Sequence, residues 1–317
     1  MLVDSFFGVL SEIARVDGGL ALGLISNMDD PKAWDLRERL TEKFPAHVAA
    51  SLSGMGDERA IKMLEKLAPK QPRAVVRALG GRINPVARQI LQTYRAQVPD
   101  AVLEAIAGRD DEEAWELRTR LFEEIPHLGL RSLRGLDDER AWTKRVPFEH
   151  TSDPLLGDAL ARSLSGIETE HAWVLRDRMR AVGPAGVVLS LRKLTDSRSI
   201  ALRQAYIDSA PKIVLRTIIG SDEDWAWSLR KRAGSWAKEV LDSIDAIEGE
   251  RAWSLRHELA SIFPSTAVSS LGAGDHSVRS WAFRWAQLRE FPGNLLLAKH
   301  LVRALQRDPK KEADSDA

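Results

Sequence analysis

The chain has 317 residues, of which 44% are hydrophobic and 29% charged, and 46 Lys+Arg balance 46 Asp+Glu to a formal net charge of zero. A dedicated nucleic-acid binder carries a basic excess, so this balance argues against that class while leaving room for a local basic groove. With no cysteine, the chain has no disulfides, thiol catalysis or cysteine-bound zinc.

The chain opens on Met1-Leu-Val-Asp-Ser-Phe-Phe7, without the basic region of a signal peptide. No apolar run approaches the roughly 18 residues of a membrane span, so the expected location is cytoplasmic. Phe6, Phe7, Val9 and Leu10 suggest a weak first unit. A polar cap is expected at a solenoid end. This apolar start therefore implies either a first helix that folds back or a missing N-terminal domain.

From Asp29 onward a repeat takes over. A small residue (Ala33, Ala60, Ala87, Ala114, Ala141, Ala172, Ser199, Ala226, Ala252, Ser280) precedes a slot that reads Trp34, Ile61, Arg88, Trp115, Trp142, Trp173, Ile200, Trp227, Trp253 and Trp281. The steps between slots are 27, 27, 27, 27, 31, 27, 27, 26 and 28 residues. Every tryptophan in the slot has an arginine three residues on. Eleven residues after the slot comes Pro45, Pro72, Pro99, Pro126, Pro184, Pro211, Pro264 or Pro292, with Gly157 and Lys238 as exceptions. Nine further on, six units carry Gly54, Gly81, Gly108, Gly135, Gly166 and Gly220.

These landmarks predict two helices per unit. Helix A is capped by carboxylates such as Asp29-Asp30, with Ala33, Leu36 and Leu40 on one face. Helix B starts at proline, whose missing N–H is unpaired there in any case. It buries residues such as Val48 and Leu52 and ends at a left-handed glycine. So short a pair buries its apolar face only by stacking on its neighbours. The expected fold is therefore all-α: one α-solenoid of ten to eleven units over 1–306, right-handed by analogy with other helical repeats and roughly 100 Å long at about 8–10 Å per helix layer.

Two places break the beat. Between Trp142 and Gly166 the unit holds four extra residues, with Pro147 and Pro154 inside. The segment 147–154 should leave helix A and protrude as a loop, either a tolerated insertion or a carrier of function. Further on, Trp225, Trp227 and Trp236 crowd one unit, as a repacked core or an aromatic surface. Residues 307–317 are charged and are expected to be a disordered tail.

The Trp–Arg pairs admit two readings. As scaffold, arginine lies over indole and reaches carboxylates in the caps of an adjacent unit. As a binding stripe, the pairs stack and neutralise a ligand. The interruptions at Ile61, Arg88 and Ile200 favour scaffold. The candidate binding residues are Trp115, Arg118, Trp173, Arg176, Trp227, Arg230, Trp253, Arg256, Phe148 and His150. Phosphate loops, G-x-S-x-G elbows and H-E-x-x-H pairs are absent, so no catalytic residue, cofactor or metal is expected. The repeated Ser-Leu (Ser51, Ser132, Ser163, Ser190, Ser270) reads as a helix-B packing position.

The unit Asp29-Asp-Pro-Lys-Ala-Trp-Asp-Leu-Arg-Glu-Arg-Leu40, through Pro45 to Gly54, resembles bacterial HEAT-like α-solenoids, with a period shorter than theirs. It also looks like the repeat regions of thymidylate-kinase-like proteins, whose phosphate-loop residues are absent here. The first reading is a non-catalytic scaffold binding a protein partner on its concave face, through exposed helix-B residues and the 147–154 loop. The resemblance implies an accessory repeat region of a thymidylate-kinase-like nucleotide kinase, or a HEAT-like glycosylase-type protein handling nucleic acid or nucleotides.

Overall fold

The computed structural model describes residues 2–82, 84–272, 275 and 277–306; the expected tail lies outside them. Among these residues there are 22 α-helices and one 3-10 turn, with no strand. The chain is an all-α helical-repeat solenoid. It divides into two compact units, one holding Leu10–Leu194 and the other the described residues before and after it.

In the first unit, helix A recurs as Pro31–Leu40, Glu58–Leu67, Pro85–Tyr94, Glu112–Leu121, Glu139–Arg145 and Glu170–Met179. Helix B recurs as Pro45–Ser51, Pro72–Ala78, Pro99–Ala105, Pro126–Ser132, Pro154–Ser163 and Pro184–Ser190. The second unit continues with A helices Ser197–Tyr206, Asp224–Arg232, Glu250–Leu259 and Val278–Glu290, and B helices Pro211–Thr217, Ala237–Ser243, Pro264–Ser269 and Leu295–Gln306. A weaker pair, Leu2–Val16 and Gly18–Leu24, precedes these repeats. Within each unit the B helices pack on one another in sequence, forming the closely spaced layer.

The local chemistry explains each boundary. Asp57, Asn84, Asp111 and Asp138 cap helix A by accepting the N–H three residues on. Removing one such cap costs about 1 kcal/mol. Asp138→Ala should accordingly lower unfolding free energy by that amount in urea titration, with the helical content unchanged. Proline begins most B helices, as expected. The small slot of helix A is fully buried from Ala33 to Ser280, and a larger side chain there would push helix A off its neighbours. Val48, Ala49 and Leu52 are wholly buried under it.

The glycine differs slightly from expectation. Helix B closes at Leu52, and Gly54, two residues later, is the left-handed one, with φ 85°. The same conformation recurs at Gly81, Gly108, Gly135, Gly166, Gly220 and Gly272, and at Asn27, Lys193 and Ala246, which occupy this turn position in their own repeats. Its purpose lies in the next repeat. The N–H of Asn27 donates to the Ser51 carbonyl at 3.1 Å, that of Gly108 to Ser132 at 2.9 Å, and that of Gly220 to Ser243 at 3.0 Å. The turns at Asn27, Gly81, Gly108, Gly135, Gly166, Gly220 and Ala246 are thus pinned to the end of the following helix B.

The 142–166 repeat also departs from expectation. Helix A shortens to seven residues and runs into the 3-10 turn Val146–Phe148. Pro154 is this repeat's helix-B proline, and the helix begins a turn early to give ten residues. The intervening loop is pinned rather than free. Phe148 lies 6.0 Å from the Phe122 ring, and Glu149 pairs with Arg178 and His171 of the next repeat at 3.0 and 2.9 Å.

Candidate binding face

The Trp–Arg ladder is interior. Trp115, Trp173 and Trp253 are at most 6% exposed, and Arg118, Arg176, Arg230 and Arg256 at most 2%. Trp227 and Phe148 are half-buried and His150 is exposed. The tryptophan nitrogen donates to the first carboxylate of the acidic pair: Trp34 to Asp29, Trp115 to Asp110, Trp142 to Asp137 and Trp227 to Asp222, all at 2.8–2.9 Å. The two aspartates divide the work, the second capping the helix and the first holding the indole.

The arginine partners were expected to be carboxylates; they are not. Arg118 Nε donates to Ser132 Oγ at 3.0 Å, and Nη2 to the carbonyls of Ile106 and Arg109 at 3.3 and 3.0 Å. Arg37, Arg145 and Arg176 repeat the pattern with Ser51, Ser163 and Ser190 and the carbonyls of the preceding turn. The serine hydroxyl donates in turn to the carbonyl three residues back, as Ser132 does to Gly129 at 2.6 Å. The Ser-Leu motif is therefore the arginine's receptor, a role sequence reasoning missed because the partners lie 14 residues ahead and 9 and 12 behind. Each guanidinium also covers its own indole, at 4.4 Å for Trp115. On the other side, Arg59 and Arg279 of following repeats cover Trp34 and Trp253 at 4.5 and 4.4 Å. These outer arginines take the carboxylates, Arg59 with Glu38 and Arg279 with Glu250.

Burial pushes the guanidinium pKa down to about 10 in Arg37, Arg118, Arg145, Arg203, Arg230 and Arg256, partly offset by nearby aspartates. All remain cations at neutral pH. They are structural charges, with their donors directed into the protein.

The surface left for a ligand is the row of B helices. Here the residue before the serine slot and the residue after the following leucine face outward. Within each compact unit several charges on this face are matched: Arg73 with Asp100 and Arg77 with Glu104 in the first, Lys212 with Glu239 and Lys238 with Asp242 in the second. In the first unit one depression of about 300 Å³ breaks the pattern. It is lined by Arg131 and Arg134 from one repeat, Arg162 and Ser165 from the next, and Arg192 from the third, over Leu103, Leu128 and Leu189. Asp158 holds Arg162 at 2.6 Å. Arg131, Arg134 and Arg192 are exposed and make no ion pair among the described residues.

A larger depression of about 630 Å³ lies along two A helices, between Trp115 and Lys144. Its arginines are matched, Arg120 with Glu116 and Arg140 with Glu112, so it presents little uncompensated charge. No group of three metal-ligating side chains occurs among the described residues, and no described helix is long and apolar enough to cross a membrane.

Comparison with known proteins gives no matching family model, curated protein or solved structure. The class rests on the fold: a helical-repeat solenoid with an arginine-lined depression on its helix-B face.

Proposed function

We propose that this chain is a non-catalytic repeat scaffold that holds an acidic segment of a protein partner along its B helices. The observation that carries this reading is the grouping of three unmatched arginines, Arg131, Arg134 and Arg192, around one depression of the helix-B face. Charge complementarity of this kind selects a partner and its register more than it adds raw affinity. Leu103, Leu128 and Leu189 in the floor suit a segment that interleaves apolar residues with its acids.

A single-stranded nucleic acid fits less well. Such sites combine positive charge with aromatic platforms, and no aromatic ring lines this groove. Trp34, Trp115 and Trp253 are enclosed between guanidinium groups in the helix-A layer. The likeness to HEAT-like solenoids and to the repeats of thymidylate-kinase-like proteins then belongs to an accessory, partner-holding use of the repeat, in the cytoplasm.

The test is fluorescence anisotropy with a labelled decapeptide alternating Glu and Leu, beside a labelled oligothymidine of similar charge. The peptide should bind the chain, more weakly as salt rises. R131Q/R134Q/R192Q should weaken it by roughly tenfold, equivalent to 1.4 kcal/mol. Preference for the oligothymidine, or indifference to the triple substitution, would overturn the reading.

A further inference from the structure

We infer that the depression formed by Arg131, Arg134, Arg162 and Arg192 is a phosphoryl-binding pocket, taking a phosphorylated serine or threonine of the partner. The inference rests on the partner-holding reading above and specifies its central contact.

Donor number is the first reason. Four arginines from three successive repeats, Arg131 and Arg162 at the ends of B helices and Arg134 and Arg192 in the turns after them, line one depression. A carboxylate offers two oxygens and one charge. A phosphomonoester brings a charge near −1.5 to −2 and three acceptor oxygens, and Arg clusters are a recurrent means of recognising it. Guanidinium forks are also suited to bidentate phosphate contacts.

The second reason is the local failure of compensation. Glu104, at the edge of the depression, already accepts from Arg77 of the preceding helix at 2.9 Å. Asp158 accepts from Arg162 Nε and Nη2 at 2.6 and 3.3 Å, which fixes that side chain from behind. No other carboxylate lines the depression. Elsewhere on this face, Arg73 and Arg77 meet a carboxylate from the neighbouring repeat.

The third reason is how the helices are brought together. This is the repeat with the lengthened helix Pro154–Ser163. A Cβ on Gly183 would stand 2.4 Å from the Asp158 backbone nitrogen, and one on Gly186 2.3 Å from its carbonyl oxygen. These glycines let two backbones approach as side-chain-bearing residues could not. The approach draws the Asp158-held Arg162 and the unpaired Arg192 to one depression, beside the unpaired Arg131 and Arg134. The half-buried Ser165 lines the same depression and supplies a hydroxyl donor. About 300 Å³ is the lower end of ligand pockets, suited to a headgroup rather than a large cofactor.

The experiment compares three labelled acidic decapeptides that differ at one central position, Ser, Glu or phosphoserine, by anisotropy against the full chain. Inorganic phosphate serves as competitor and oligothymidine as a separate probe. The phosphoserine peptide should bind at least tenfold tighter than the Glu peptide, and phosphate should displace it. R134Q and R192Q, both at exposed positions, should reduce the phosphoserine preference to under threefold without changing the circular dichroism. R134K, which keeps the charge and loses the fork, should fall between. Equal binding of the Glu and phosphoserine peptides would overturn the inference and leave the acidic-partner reading standing. Absence of binding by all three peptides would overturn both. Oligothymidine binding tighter than the phosphopeptide, and lost in the same variants, would reassign the pocket to nucleic-acid phosphates and overturn the inference.

Discussion

Replacing Arg118 by methionine should lower the unfolding free energy by about 3–5 kcal/mol. The substitution keeps a long apolar stem but removes every donor. The Arg109 carbonyl loses its donor and Ser132 Oγ keeps only its own donation to Gly129, while the Ile106 carbonyl retains the Arg109 N–H at 3.1 Å. Each buried acceptor left unpaired costs about 1–3 kcal/mol, and the packing lost with the guanidinium adds to it. Against this stands the relief of a desolvated cation. Burial places the Arg118 pKa near 10, below the ordinary guanidinium value. A base with a lowered folded pKa imposes a cost that is complete below about pH 10 and relieved only as pH rises through and beyond it. The difference between wild type and variant should therefore stay level from pH 6 to 9. Repeat proteins transmit stability between neighbours, so the damage should centre on the junction of two repeats. Hydrogen exchange should show it at the Gly108 amide, which donates to Ser132 O at 2.9 Å. A urea-measured loss under about 1 kcal/mol, with Gly108 protection intact, would mean that the arginine does not fasten the repeats.

This fastening explains why some of the fold is legible in sequence and some is not. Small residue, tryptophan and arginine recur because every junction poses the same packing problem. Proline and the capping aspartates mark helix starts by purely local chemistry. The arginine's receptors are not local, so its carbonyl and serine partners emerge only when the helices are stacked. The 147–154 segment misled for a related reason. Pro147 does end helix A, but Phe148 and Glu149 find partners in neighbouring repeats, which turns a predicted protrusion into a pinned turn. At the candidate site the aromatic signal drew attention to helix A. Arg131 and Arg162 sit just before Ser132 and Ser163, and Arg134 and Arg192 just after Leu133 and Leu191. That registration was readable from the repeat. The absence of a compensating carboxylate for Arg131, Arg134 and Arg192 is a property of the assembled face.

Gly186→Ala should cost about 3 kcal/mol and also weaken ligand binding at a pocket whose lining it does not join. The added methyl would meet the Asp158 carbonyl oxygen at 2.3 Å, and the carbonyl carbon and Cα at 2.9 Å. All three are backbone atoms of a helix, so no side-chain rotation relieves the overlap, and overpacking of this kind costs typically 1–3 kcal/mol or more. The least costly response is for helix Pro184–Ser190 to move away from Pro154–Ser163. Asp158 holds Arg162, so that shift separates Arg162 from Arg192 and opens the depression between them. The two effects should therefore appear together, a lower urea midpoint and a lower phosphopeptide affinity with the pocket arginines all present. Gly166→Ala provides the contrast. It meets no atom within 4 Å but carries φ 78°, so its cost is backbone strain alone, and it should lower stability while leaving affinity unchanged. Should Gly186→Ala lose stability yet bind phosphopeptide at full strength, close helix approach would be a packing device only, and the arginines would reach their ligand independently of it.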